Sequence, residues 1–310
     1  MKTLALGLAV AIACGWACNT RAQDETAPQG GGLRYSITVS TFENKSGWHG
    51  QWEIGNAFGE IMTKALHASG KFIVLGEPDM RQAAMAEQDL GASGRTAGGA
   101  KTAKVGRLTP AQLLVKGAIT HVQNETAGAG GGLSFRGIRV GGSGGKGEVN
   151  ATIYLVDAET GQVKASTDVV GVSTKKGLNI GYSGGALGGL GGDLGGFLKD
   201  NVGKATENAV AQAVEFLAAQ LEKVPWTGSI AATGSKIIIN RGTREGVAPG
   251  MEFQVGKSEQ VVDPDTGEVL DTSMTKAGVI RVVEVKEKVS YCEAVEGADA
   301  IQKGMTIMPK

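Results

Sequence analysis

Val149-Asn150-Ala151-Thr152-Ile153-Tyr154-Leu155-Val156, then Asp157-Ala158-Glu159-Thr160-Gly161, then Gln162 through Val172: this stretch decides the fold. Apolar and polar residues alternate along the first run, with the period of two that a half-buried strand requires. The five-residue segment carries turn chemistry, with Gly161 standing where a positive φ is needed. Residues 149–172 are therefore expected to form a β-hairpin.

A glycine-rich tract lies on either side of the hairpin, residues 127–147 before it and 176–196 after it. Each is about as long as two membrane-crossing strands, which need roughly 9–11 residues apiece. In the first tract Leu133, Phe135, Ile138 and Val140 alternate with polar residues or glycine. In the second, Leu187, Leu190, Leu194, Phe197 and Leu198 recur at near-helical spacing. Aromatic girdles are missing, and one chain has too few such strands to close a barrel, so only a ring of subunits is able to use them as a wall. Composition by itself favours the other reading, polar loops without fixed structure.

Further out, the pattern is that of an α/β (α+β) unit spanning residues 33–225. Leu33, Tyr35, Ile37 and Val39 mark a first strand over 33–42, followed by a polar loop at 43–47. Ile54, Phe58, Ile61, Met62, Ala65 and Leu66 fall at helical spacing over 54–69, with Gly70 placed as the C-terminal cap. A short buried strand at 71–75 precedes a helix over 78–90 that opens on Pro78. Residues 91–103 read as a loop rich in small residues. Thr109 is placed to cap a helical turn beginning at Pro110, which leads into a strand over 113–122. Beyond the second tract, Ala205, Ala209, Ala213, Phe216, Leu217 and Leu221 give one inward face to a long helix over 202–224.

Pro225-Trp226-Thr227-Gly228 marks a boundary, and residues 227–310 read as a second, small all-β barrel-like domain. Its strand signals are Lys236–Asn240, Val261-Val262 and Val269-Leu270 about a turn at 263–267, residues 278–283, and residues 290–295, with Gly304-Met305 in a last turn.

Composition narrows the function. The chain of 310 residues suits two domains. Its 31 basic residues balance 31 acidic ones, so no basic footprint for nucleic acid exists. Fifty glycines stand far above the average share of about 7%. At the N-terminus Met1-Lys2, the apolar run from Leu4 to Cys18 and the small residue closing Thr20-Arg21-Ala22 form the three parts of a secretory signal, residues 1–22. Cleavage after Ala22 is the better match. Ala11-Ile12-Ala13-Cys14 and Gly15-Trp16-Ala17-Cys18 keep lipid attachment at Cys14 or Cys18 open, although neither has Leu three positions before its Cys. Loss of the signal leaves Cys292 as the only cysteine, which reads as a small buried hydrophobe.

Chemistry-bearing patterns are weak. His49, His67 and His121 fall in different elements, and no Gly-x-Ser-x-Gly elbow precedes a helix. The glycines at 189–192 lack the strand, helix and Lys-Ser/Thr of phosphate-binding loops. Asp263, Asp265 and Glu268 read as a hairpin turn in preference to a calcium loop, because Gly267 is the fifth residue of that run and not the sixth. No residue is nominated as catalytic, cofactor-binding or metal-ligating, and no cofactor is expected.

Several segments, in order, resemble the curli secretion channel (CsgG-like) family. They are 40–47 (Ser-Thr-Phe-Glu-Asn-Lys-Ser-Gly), 66–75 (Leu-His-Ala-Ser-Gly-Lys-Phe-Ile-Val-Leu), 86–90 (Ala-Glu-Gln-Asp-Leu), 114–120 (Leu-Val-Lys-Gly-Ala-Ile-Thr) and 155–163 (Leu-Val-Asp-Ala-Glu-Thr-Gly-Gln-Val). The resemblance covers about 33–225. It implies an α/β periplasmic domain, a non-enzymatic role in assembly or secretion, and a place in the periplasm or at the outer membrane of a Gram-negative-type envelope. It also implies partners: further copies of the chain in a homo-oligomer, and other envelope or secretion proteins. In that channel a ring of protomers inserts two hairpins each to form a pore, and those hairpins occupy the places held here by 127–147 and 176–196. A soluble periplasmic binding or scaffold protein without a pore is the alternative. The final domain, from 236–242 and 246–251, resembles the small β-barrel of periplasmic flagellar-assembly proteins, which suggests a docking module.

Overall fold

The computed structural model describes residues 32–50, 52–99, 101–125, 134–135, 138–139, 146–173, 200–265 and 269–310. The expected signal at 1–22, the second tract at 176–196 and much of the first lie outside the described residues.

The alternation around Ile37 gives β1 (Tyr35–Val39), fully buried along its length. A two-residue strand, β2 (Glu43–Asn44), leads to α1 (Ile54–Ser69), which Gly70 ends in the left-handed conformation at φ 63°. Strand β3 (Phe72–Val74) and α2 (Pro78–Ala92) follow, with Pro78 in the first turn where its missing N–H costs nothing. Then come β4 (Leu113–Glu125), β5 (Ser134–Phe135), β6 (Ile138–Arg139), β7 (Lys146–Asp157), β8 (Val163–Val172) and α3 (Asn201–Gln220).

One mixed sheet has the order β3-β1-β4-β7-β8, with β2 on β4. Strand β1 pairs parallel to β3 and β4, whereas β4, β7 and β8 pair antiparallel. Alternate residues Val149, Ala151, Ile153 and Leu155 of β7 are buried and their neighbours are not, so one face of the sheet holds the core. Helices α1 and α3 cover that face and touch each other. Phe58 of α1 is fully buried, its ring 4.5 Å from that of Phe42. From α3 the buried side chains are Val202, Ala205, Ala209, Val210, Ala213, Val214 and Leu217.

The hairpin expected at 149–172 is present, and Gly161 takes φ 73°. Asp157 organises its turn by accepting the N–H groups of Glu159 (2.9 Å) and Thr160 (3.1 Å). Two expectations need correction. No helical turn follows Thr109: Ser36 Oγ donates to the Pro110 carbonyl at 2.9 Å, and the Gln112 N–H donates to Ser36. Strand β1 thus takes the hydrogen bonds that a helical turn would have used. The long helix also stops at Gln220, tightening into a 3₁₀ turn over Leu221–Lys223.

The remaining strands are β9 (Gly228–Ala232), β10 (Ile237–Ile239), β11 (Glu252–Val262), β12 (Val269–Val285), β13 (Ser290–Glu296) and β14 (Thr306–Pro309). They close into a six-stranded antiparallel barrel, β10-β13-β12-β11-β14-β9. Ile230, Ile239, Phe253, Val255, Ile280, Val282, Cys292 and Ile307 fill it. Cys292 is free and buried as expected, and burial pushes its thiol up to about 12. β11 and β12 form a hairpin much longer than the barrel, a feature the short-strand reading of this region did not anticipate. The first half of the protein thus combines a mixed sheet with helices, and a small antiparallel barrel follows.

Candidate functional site

The constellation most informative about function is the end of the sheet from which both glycine-rich tracts depart. Strands β4 and β7 remain hydrogen-bonded to their tips, with Asn124 opposite Gly147 and Glu125 opposite Lys146. Residues 126–145 therefore leave and return on adjacent strands. Within them β5 and β6 pair antiparallel, Ser134 with Arg139 and Phe135 with Ile138. That register differs by two residues from a straight continuation of the β4–β7 ladder.

Gly147 joins this root to the second. Its N–H donates to Ser173 Oγ at 2.8 Å, and its carbonyl accepts the Ser173 N–H at 2.9 Å. A Cβ at position 147 would lie 2.4 Å from the Asn201 carbonyl oxygen. Ser173 is the last described residue before the second tract, and Asn201 begins the helix after it. The exits and returns of both tracts therefore meet at one corner of the fold. α3 is held there by close approach: a Cβ on Gly171 would stand 1.8 Å from the Ala205 oxygen. The Asn208 and Gln212 side-chain amides donate to the Val172 and Val170 carbonyls at 3.0 and 2.8 Å.

A second constellation is the seam between the sheet and the barrel. The Arg34 N–H donates to the Glu245 carbonyl at 2.9 Å, and the Tyr35 hydroxyl donates to the Val224 carbonyl. Burial pushes the Tyr35 phenol up to about 12. Trp226 stacks on Phe253 at 5.3 Å, with the Arg241 guanidinium 5.8 Å from its ring. A cavity of about 530 Å³ opens on this seam, lined by Leu33, Tyr35, Leu221, Trp226 and Met308 among others.

The residues weighed for chemistry stay apart. His49 precedes α1, His67 lies in the last turn of α1 and His121 sits on β4, all exposed. Residues 189–192 and Glu268 lie outside the described residues. Asp263 accepts the Asp265 N–H at 2.8 Å, a turn-forming bond. Among the described residues no helix is long and apolar enough to cross a membrane, which leaves strands untested. The root at Gly147, Ser173 and Asn201 escaped the sequence reading. A glycine closing a glycine-rich tract at the first residues of a strand was the available signal.

Three solved structures show low-level likeness. A hypothetical protein of Chlamydia trachomatis is 12% identical, with TM-score 0.34, over 60% of this chain and 96% of that one. A PelC dodecamer from Paraburkholderia phytofirmans is 13% identical, with TM-score 0.31, over 62% and 95%. The C-terminal domain of LpoB from Escherichia coli is 17% identical, with TM-score 0.26, over 46% and 84%. At these identities and TM-scores the likenesses carry no statement about activity or assembly. None of the curated proteins compared with the chain matches it. Residues 20–237 match the family described as the curli production assembly/transport component CsgG. That match takes in the whole mixed sheet, its helices and both glycine-rich tracts, and the chain belongs to the CsgG family.

Proposed function

We propose that the protein is a non-enzymatic, homo-oligomeric assembly or secretion component of the cell envelope, whose two glycine-rich tracts enter the outer membrane side by side. The family is one of transport and assembly components, not of enzymes. The observation that carries the reading is the shared root: both tracts leave the sheet beside Gly147, Ser173 and Asn201. Between the described ends lie twenty residues in the first tract and 26 in the second. Either is long enough to cross a hydrocarbon layer twice, at roughly 9–11 residues per strand. One protomer offers four crossing strands at most, too few to enclose a lumen, so the reading requires a ring.

We take residues 33–225 as the family domain and 227–310 as a separate docking module, like the barrels of flagellar-assembly proteins. Replacing 127–145 by a two-residue turn keeps Gly147 in its seat. The shortened protein is expected to move from the outer-membrane fraction to the soluble periplasm while still folding. Unchanged fractionation would remove the insertion step.

A soluble periplasmic scaffold is the second reading, favoured by composition: ten of the 21 residues in 176–196 are glycine. It expects rapid cleavage inside that tract by added protease, in native membranes as well as in solution. Protection confined to membranes supports insertion.

A further inference from the structure

Only part of the β11–β12 hairpin belongs to the barrel. Strand β14 pairs with residues 253–256 of β11, and β13 with residues 279–285 of β12. Beyond them residues 257–262 and 269–275 pair only with each other. Six residues at about 3.3 Å each make a ribbon roughly 20 Å long standing clear of the barrel. A two-stranded ribbon alone in water is marginally stable, so its extension calls for a surface to lie on.

Its chemistry is specific. Val261, Val262, Val269 and Leu270 are all exposed near the tip, Leu270 at 60%. Glu259, Asp263, Asp265 and Asp271 surround them, and no Lys, Arg or His occurs anywhere in 258–275. An acidic apolar tip is repelled by an anionic lipid surface and attracted by a basic apolar one.

The same chain carries the complement. Between Asp89 and Glu125 no acidic residue occurs, and Arg95, Lys101, Lys104 and Arg107 are all exposed in the loop after α2. Beside them Met80, Met85, Leu90 and Val105 are exposed, Val105 at 62%. Helix α2 contributes no fully buried residue to its own fold and exposes Asp79, Glu87 and Asp89, so the positive charge lies in the loop that follows it. Ribbon, α2 and loop together hold eight of the thirteen exposed large hydrophobic residues among the described ones.

We propose that the β11–β12 ribbon of one protomer docks on the basic 95–107 loop of the next copy, its apolar tip against Leu90 and Val105. Two different surfaces meet, so the contact is heterologous and propagates around a ring. It rests on the oligomer reading and adds to it a strap supplied by the barrel domain.

The test is a charge swap on the full-length protein, read as particle mass by light scattering across a dilution series. Asp265→Lys with Asp271→Lys in the ribbon, or Lys101→Glu with Lys104→Glu in the loop, is expected to raise the concentration needed for assembly by about tenfold or more. The four changes together restore assembly to within about threefold of the wild type, since the pairs are re-formed with opposite signs. All these sites are exposed, and unaltered thermal unfolding shows that the variants fold. Rings that survive every reversal, or a fourfold variant as weak as the doubles, overturn the docking and leave the ring standing. Intact rings that lose only vesicle retention overturn it in favour of lipid. A wild type that is monomeric throughout removes the ring and the strap together.

Discussion

A Cβ on Gly171 would sit 1.8 Å from the Ala205 carbonyl oxygen and 2.7 Å from the Ala209 nitrogen, both backbone atoms of α3. Neither yields as a flexible side chain does, so strand and helix must separate. Gly171→Ala is expected to lower stability by about 1–3 kcal/mol, seen as an earlier denaturant midpoint with unchanged slope. An equal midpoint would mean that the approach is looser than drawn. Asp157 is legible for a different reason, because its role is local. Although burial pushes its carboxyl up, the N–H groups of Thr160 and Glu159, with Lys164 nearby, hold it below the ordinary 3.8. A carboxylate with a depressed folded-state pKa adds stability above its unfolded pKa and loses it as pH falls through the folded one. Asp157→Ala should therefore cost about 1 kcal/mol at neutral pH, and the gap from the wild type should close as pH falls below about 4. A gap independent of pH would remove the charge from the explanation. The turn was readable from five consecutive letters. The glycine seats were not, because position 171 meets a helix that begins thirty residues later, across a tract whose length says nothing of where the chain returns.

Helix α1 was readable to both ends, since periodic apolar residues and Gly70 agree. Its side chains carry the packing of the first half. Phe58 is fully buried against Phe42 and lies on the face turned to the sheet. Phe58→Ala is expected to cost about 3–5 kcal/mol, measured by chemical denaturation. A cost under about 1 kcal/mol would show that the site collapses freely. The turn expected at Thr109 failed where a tertiary partner outbid a local signal, the Ser36 N–H donating to Gln112 Oε1 and the Gln112 N–H to Ser36 Oγ across 76 residues. Strands β9 and β14 were missed because they are short, and their pairing with each other and with β10 and β11 alone makes them strands. The hairpin about 263–267 was read from its turn, but the length of its strands was missed for the opposite reason. Its residues are exposed on both faces, so the alternation that announces a half-buried strand is absent.

At the scale of the whole molecule, two regions of different architecture share one continuous core through Tyr35, Trp226 and Phe253. That continuity sets the barrel firmly on the sheet, so a ribbon projecting from the barrel has a defined direction relative to the tracts leaving the sheet. The assembly account follows from two unfinished features, tracts too few to enclose a pore and complementary surfaces left uncovered. Both are completed by further copies of the chain. The most direct test is the mass of the particle extracted by mild detergent from the outer-membrane fraction, measured by light scattering with the detergent contribution subtracted. The account predicts a discrete particle whose mass is many times the 31.7 kDa of the chain. A monomer or dimer, released with the soluble periplasm and unchanged by concentration, would contradict it.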